Sequence, residues 1–228
     1  MRKTWKYRLL VLVPLWFLAL SVLLVTLLRW VPVGYTPVML KRAFQFRSEN
    51  GYRTEQEWVS LEDISPELID AVLLAEDQSF YSHHGFDFRE LRQMWRSHRS
   101  EGTRIRGCSS LSQQTAKNVL TFGTRTPFRK VVEAYWTFLI ERIWGKRRIL
   151  EVYLNVVEWG PGTFGAEAAA REYFGTRASD LFPEQAAAMA VCLPSPLLES
   201  PDHLSPESRR KYLRIVGQIP DSGHSNNH

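Results

Sequence analysis

Ala75-Glu76-Asp77-Gln78-Ser79-Phe80-Tyr81-Ser82-His83-His84-Gly85 closes an apolar segment with two adjacent carboxylates, then turns through aromatics and histidines to a glycine. Upstream, Ser65 is a good helix N-cap, Pro66 suits the first helical position and Glu67 the first turn. Leu68, Ile69, Val72 and Leu73 follow at helical spacing and predict a buried face. Glu76, at i+4 from Val72 and i+3 from Leu73, prolongs that face. A carboxylate there is partly desolvated, which raises its pKa towards the working range of a general base. Asp77, about 100° further round the helix, points elsewhere. The same residues would also suit a solvated acidic helix end, so the rest of the chain decides between the two readings.

The chain has 228 residues, enough for one domain with appendages, and a formal charge of +5. Arg2, Lys3, Lys6 and Arg8 sit in the first 28 residues, which hold no acid. Setting these four aside leaves 25 basic residues against 24 acidic ones, a net +1. A nearly neutral domain argues against nucleic acid as a partner. Residues 9–28 form an uncharged run that crosses a bilayer as one helix. No small-residue cleavage site follows it, so an uncleaved anchor is expected rather than a signal peptide. The basic residues before the run place the N-terminus in the cytoplasm, with Trp30 and Tyr35 at the interface. The expected division is 1–8 cytoplasmic, 9–28 transmembrane, 29–58 juxtamembrane connector, 59–220 catalytic domain and 221–228 disordered tail. Two cysteines, Cys108 and Cys192, are read as free buried thiols.

Within the connector, Asn50-Gly51 suggests a short hairpin; elsewhere the chain reads as helices. Asp87 caps a helix in which Phe88, Leu91, Met94 and Trp95 alternate with Arg89, Arg92, Arg96 and Arg99. Such a helix lies on an anionic membrane surface or presents a solvated basic face. Ser110 and Gln113 have capping-box spacing, and the helix N-terminus they begin is either an anion site or an ordinary polar start. Thr126-Pro127 opens a long helix with Phe128, Val132, Trp136, Leu139 and Ile143 as its apolar stripe. Glu133 sits beside the stripe at i+4 from Arg129 and i+3 from Lys130, the spacing of a helix-surface ion pair. Gly160-Pro161-Gly162 marks a loop, and helices are expected over 146–155, 166–173, 183–192 and 206–219.

Taken together, these residues resemble the monofunctional peptidoglycan glycosyltransferases, members of glycosyltransferase family 51, over roughly residues 59–219. Glu76-Asp77-x-x-Phe80-x-x-His83-x-Gly85 matches the first family motif. Gly107-x-Ser109-Ser110-Leu111-Ser112-Gln113-Gln114 matches the second, with Ser110 in place of the usual threonine. Arg129-Lys130-x-x-Glu133 matches the third, and Lys146-x-x-Ile149-Leu150-Glu151-x-Tyr153-Leu154-Asn155 the fourth. The fifth, R-R-x-x-V-L, is blurred: Arg209-Arg210-Lys211-Tyr212-Leu213-Arg214 puts Arg214 where an apolar residue belongs. A register shifted towards Ile215-Val216 is the alternative, so Arg209 and Arg210 receive no role.

The resemblance implies a mostly α, lysozyme-like domain behind a single N-terminal transmembrane helix, in the bacterial inner membrane with its catalytic domain in the periplasm. The implied reaction joins lipid II to a growing glycan on undecaprenyl diphosphate, inverting an α-linked diphosphate into a β-1,4 bond. Glu76 then removes the proton from the attacking GlcNAc 4-hydroxyl. Lys117, Arg125, Arg129 and Lys130 match the family's donor-side cations, and Ser109 and Gln114 lie at the helix start that would bind phosphate. Glu133 matches a second catalytic glutamate that holds those cations, or a divalent Mg²⁺ or Mn²⁺ ion, against the diphosphate. Asp77, Phe80, His83, Gly85 and Asn155 support the motifs. Proteins of the division or elongation machinery are the expected partners. Two rivals remain: a lytic transglycosylase or lysozyme-like hydrolase, which has no use for cations facing a diphosphate, and a non-catalytic membrane scaffold, which has no demand for Glu76.

Overall fold

The computed structural model describes residues 2–48, 52–101, 109–121 and 127–219. It is mostly helical. Helix α1 (Arg2–Leu28) contains the one stretch among the described residues, Leu10–Leu28, that is long and apolar enough to cross a membrane. It is not a free tether. Phe17 packs its ring against Tyr135 and Trp136, with centroids 5.6 and 6.5 Å apart. The end of α1 is capped by the folded domain: Trp144 Nε1 donates to Val25 O at 2.6 Å, and Arg148 Nη2 donates to Leu28 O at 2.9 Å and Val31 O at 2.6 Å. The bond to Leu28 O satisfies a carbonyl that a helix C-terminus otherwise leaves unpaired.

The connector contributes two elements to the domain. Thr36 caps α2 (Pro37–Gln45), accepting the Met39 N–H, and Met39 is buried against α5 (Leu111–Leu120) while Leu40 and Phe44 face outward. Strand β1 (Glu55–Gln56) joins β2 (Glu158–Gly160) and β3 (Thr163–Phe164) in a small sheet of order β1-β3-β2, parallel to β3 with Glu55 opposite Thr163. The loop expected at 160–162 is the turn of the β2-β3 hairpin. Gly162 has φ +86°, and a Cβ there would meet Arg53 O at 2.2 Å. The hairpin expected at Asn50-Gly51 lies outside the described residues, as do Cys108, Arg125 and the tail; Cys192 is a free buried thiol.

The core helices form where the caps place them. Ser65 accepts the Leu68 N–H to begin α3 (Pro66–Glu76), which packs along α9 (Pro183–Cys192). Leu68, Ala71 and Val72 are fully buried, with Ile69 and Leu73 at the margin. The capping box of Ser110 and Gln113 starts α5, which is wedged between α6 (Pro127–Ile143) and α7 (Gly145–Val156). The stripe of α6 faces the core as expected through Val132, Trp136, Leu139 and Ile143, joined by Glu133 and Ile140, whereas Phe128 in its first turn is exposed. Helix α8 (Ala166–Phe174) ends at Gly175 in the left-handed conformation, and α10 (Pro206–Val216) crosses α9 and α3. Helix α4 (Phe88–Glu101), capped by Asp87, buries none of its residues among those described, and Phe88, Leu91 and Trp95 are exposed beside its arginines.

Candidate active site

The segment after α3 is fixed by Asp77. Its carboxylate is buried and accepts the Leu111 N–H at the start of α5 at 2.9 Å. It also lies 3.0 Å from His83 Nε2. His83 Nδ1 accepts the Gly85 N–H at 3.1 Å, so the ring proton sits on Nε2 and is donated to Asp77. Gly85 O in turn accepts the Ser110 hydroxyl at 2.5 Å. Gly85 has φ +90°, and a Cβ there would fall 2.8 Å from Thr137 Cγ2, so only glycine fits. Phe80 is buried beneath Lys146, whose Nζ lies 4.4 Å from the ring centroid and 2.7 Å from Glu141. Asp77, Phe80, His83 and Gly85 thus tie the end of α3 to the start of α5. Asn155 ties a different join: its side chain exchanges two 2.9 Å bonds with the backbone of Val59.

Glu76 is left facing outward from this framework. Its side chain is 12 % exposed and lines a cleft of about 380 Å³ bounded by Asp87, Arg89 and Gln93 on the α4 side. Gln114 Nε2 donates to Glu76 Oε2 at 2.9 Å, and the Tyr153 hydroxyl, fully buried, donates to Gln114 Oε1 at 3.3 Å. Burial raises the Glu76 pKa above its ordinary value; the Gln114 bond, then Lys211 and Lys117, pull it back. The amide of Gln114 also donates to Ser109 O at 3.2 Å.

On the far side of Lys117 lies the second carboxylate. Glu133 is 1 % exposed in its side chain and 3.1 Å from both Arg129 Nη1 and Lys130 Nζ. Lys130 Nζ also donates to Ser109 Oγ at 3.3 Å. Burial lowers the pKa of Lys117, Glu133 raises it, and Arg129 and Lys130 lower it further. The structure therefore brings Ser109, Lys117, Arg129, Lys130 and Glu133 into one cation-rich group next to Glu76. The donor set around Glu133 does not fit a divalent metal. Both carboxylate oxygens face cations, and among the described residues no three His, Cys, Asp or Glu side chains gather.

Two contacts escaped the sequence. Tyr153 was legible only as core, and its hydroxyl reaches the site. Lys211 Nζ lies 3.8 Å from Glu76 Oε1. Its place follows from the register of α10: Ile215 is buried and Val216 packs on the core, whereas Leu213 is exposed. Counting the fifth motif back from Ile215-Val216 puts Lys211 at its leading position, and Arg209 and Arg210 are exposed.

A helical domain with a half-buried glutamate beside a cluster of cations is the class of site that a glycosyl-transfer enzyme with an anionic leaving group requires. Residues 43–219 match the family model described as Transglycosylase, and the chain belongs to that family. It is 46 % identical over 206 residues to the biosynthetic peptidoglycan transglycosylase of Pseudomonas aeruginosa, covering 90 % of this chain and 88 % of the relative. It is also similar to proteins of the same name from Mannheimia succiniciproducens, 40 % identical over 91 % of this chain and 86 % of the relative, and Rhodospirillum centenum, 46 % identical over 86 % of this chain and 84 % of the relative.

Proposed function

We propose that the protein is a membrane-anchored peptidoglycan glycosyltransferase that polymerises lipid II into β-1,4-linked glycan. The observation that carries this reading is the placement of Glu76 between an open cleft and the Lys117 cluster. In the proposed reaction the acceptor GlcNAc 4-hydroxyl enters from the α4 side and gives its proton to Glu76 as its oxygen attacks C1 of the donor. The C1–O bond to the diphosphate breaks, and Lys117, Arg129, Lys130 and Lys211 meet the negative charge that develops there. Gln114, held by Tyr153, orients Glu76; Glu133 holds Arg129 and Lys130 in place. A hydrolase would need a carboxylic acid poised to protonate a leaving sugar; the cations here suit a diphosphate instead.

Helix α1 would place the domain in the inner membrane with its catalytic side in the periplasm. There both lipid substrates share its leaflet at high effective concentration. The exposed apolar and basic faces of α4 are the proposed membrane contact. Deleting residues 1–28 is expected to reduce activity on bilayer-embedded substrate more than on detergent-dispersed substrate, and equal losses would count against the tether's role. The test of the activity itself is polymerisation of labelled lipid II by the full-length protein beside a Glu76→Gln variant. Lysozyme-digestible product from the wild type and its loss in the variant are expected. No product from either, on substrate that a known polymerase consumes, would leave the scaffold reading standing.

A further inference from the structure

Helix α4 has three faces. At about 100° per residue, Glu90, Gln93 and Ser97 share one side and Phe88, Leu91 and Trp95 lie on the opposite side, with Arg89, Arg92, Arg96 and Arg99 in a stripe between them. The polar side is turned to the active site: Glu90 and Gln93, with Arg89, line the cleft beside Glu76. The apolar side is turned away from the domain, with Phe88, Leu91 and Trp95 exposed by 67, 40 and 60 %. Phe88, Arg89, Arg92, Gln93 and Arg96 line a separate cleft of about 560 Å³. Arg89 and Gln93 border both clefts, so α4 is the wall between them. Among the described residues no carboxylate pairs with Arg89, Arg92 or Arg96. Uncompensated guanidinium groups at i, i+3 and i+7 beside exposed aromatic rings form a surface for phosphate at a bilayer interface. There the rings enter the acyl boundary and the arginines stay with the headgroups. The start of α4 is also linked to the catalytic loop. Asp87 accepts the N–H groups of Arg89 and Glu90 at 2.9 and 2.8 Å and takes the hydroxyl of Ser79, three residues after Glu76. A ligand that holds α4 from outside therefore holds one wall of the Glu76 cleft.

We infer that the arginine stripe of α4 binds the headgroup phosphates of anionic phospholipids, and that this contact tightens acceptor binding beside Glu76. The inference rests on the proposed function and deepens it: the membrane becomes a ligand of stated charge as well as a support. Arg92 and Arg96 meet the phosphates while Phe88, Leu91 and Trp95 enter the interface, which fixes α4 and with it Arg89, Glu90 and Gln93. The two ligand features are needed together. A zwitterionic headgroup presents a phosphate already compensated by its own ammonium, and free phosphate brings no acyl chains for the aromatic stripe.

The test reconstitutes the full-length protein in vesicles of phosphatidylcholine alone and of phosphatidylcholine mixed with phosphatidylglycerol. The wild type is compared with Arg92→Ala plus Arg96→Ala and with Arg92→Lys plus Arg96→Lys. In the wild type, phosphatidylglycerol should lower KM for lipid II by about fivefold, with a smaller change in kcat, and the effect should shrink at high salt. The alanine pair should lose this response and match the wild type in phosphatidylcholine; the lysine pair, which keeps the charge, should retain most of it. Inorganic phosphate added to phosphatidylcholine vesicles should not reproduce the drop. A second readout is independent of polymerisation. Trp95 fluorescence, taken as the difference between the wild type and Trp95→Phe, should be quenched more by brominated phosphatidylglycerol than by brominated phosphatidylcholine, and equally by both in the alanine pair. Equal KM in the two vesicle types, a response retained by the alanine pair, or a drop reproduced by inorganic phosphate would overturn the inference. So would a KM raised equally by the alanine pair in both vesicle types, which would assign the arginines to lipid II itself. No polymer in any vesicle, with the difference in quenching intact, would sink the proposed activity and leave the phospholipid contact standing.

Discussion

Glu76 and Asp77 are neighbours in sequence and opposites in the fold. Asp77 closes α3 as its cap, is buried, and spends its oxygens on Leu111 N–H and His83. Glu76, one residue earlier, has one amide bond, a lysine at 3.8 Å and an open cleft. Glu76, desolvated and only partly compensated, is free to exchange a proton. The pair teaches that a two-residue acidic motif divides its labour: one acid builds the corner, and the other works from it.

This division can be broken in stages. The largest effect is expected from Glu76→Gln. Loss of general-base chemistry should lower kcat by roughly 10²–10⁴-fold. Because burial raises the Glu76 pKa, its ionised form costs the folded state stability above the unfolded-state pKa. Glu76→Gln should therefore melt no lower than the wild type, as thermal denaturation in detergent would show. Asp77→Asn should do the reverse. It keeps one acceptor oxygen and loses the charge that holds Leu111 N–H and His83 together, costing about 1–3 kcal/mol in stability, with activity falling only as the corner loosens. Gly85→Ala attacks the same corner through its φ of +90° and the 2.8 Å approach to Thr137. A cost of about 1–3 kcal/mol is expected by denaturant unfolding. Tyr153→Phe is the mildest. It removes one 3.3 Å bond to Gln114, and kcat should fall by less than about tenfold, since a single neutral hydrogen bond contributes about 0.5–1.5 kcal/mol.

Much of this corner was legible in the sequence because its information is local. Ser65, Pro66 and Ser110 announce helix starts through their own side chains, and the periodicity of Leu68 and Val72 places Glu76 on a buried face. What was not legible depends on how distant helices dock. The reach of Lys211 to Glu76 follows from the burial of Ile215, which only the crossing of α10 over α3 and α9 decides. Gln114 was legible as a polar residue at a helix start, but its contacts with Glu76 and Tyr153 depend on how that helix docks. Phe128 fitted the stripe of α6 by spacing, but it sits in the first turn of that helix and is exposed, while Val132, Trp136, Leu139 and Ile143 pack on the core. Short strands such as β1, with two residues, carry too little pattern to be read before their partner is known.

The central claim, that Glu76 is the titrating base and Gln114 its tuner, is tested most directly by the pH dependence of kcat/KM for lipid II polymerisation. The wild type and Gln114→Leu would be compared in the same detergent. The Gln114 hydrogen bond favours the charged form of Glu76, so removing it raises the pKa of the group that must be ionised. Activity is lost as pH falls through that pKa, so the acid limb of the variant should move to higher pH. An acid limb at the same pH in both proteins would contradict the account, because the group that limits catalysis would then not be the carboxylate that Gln114 touches.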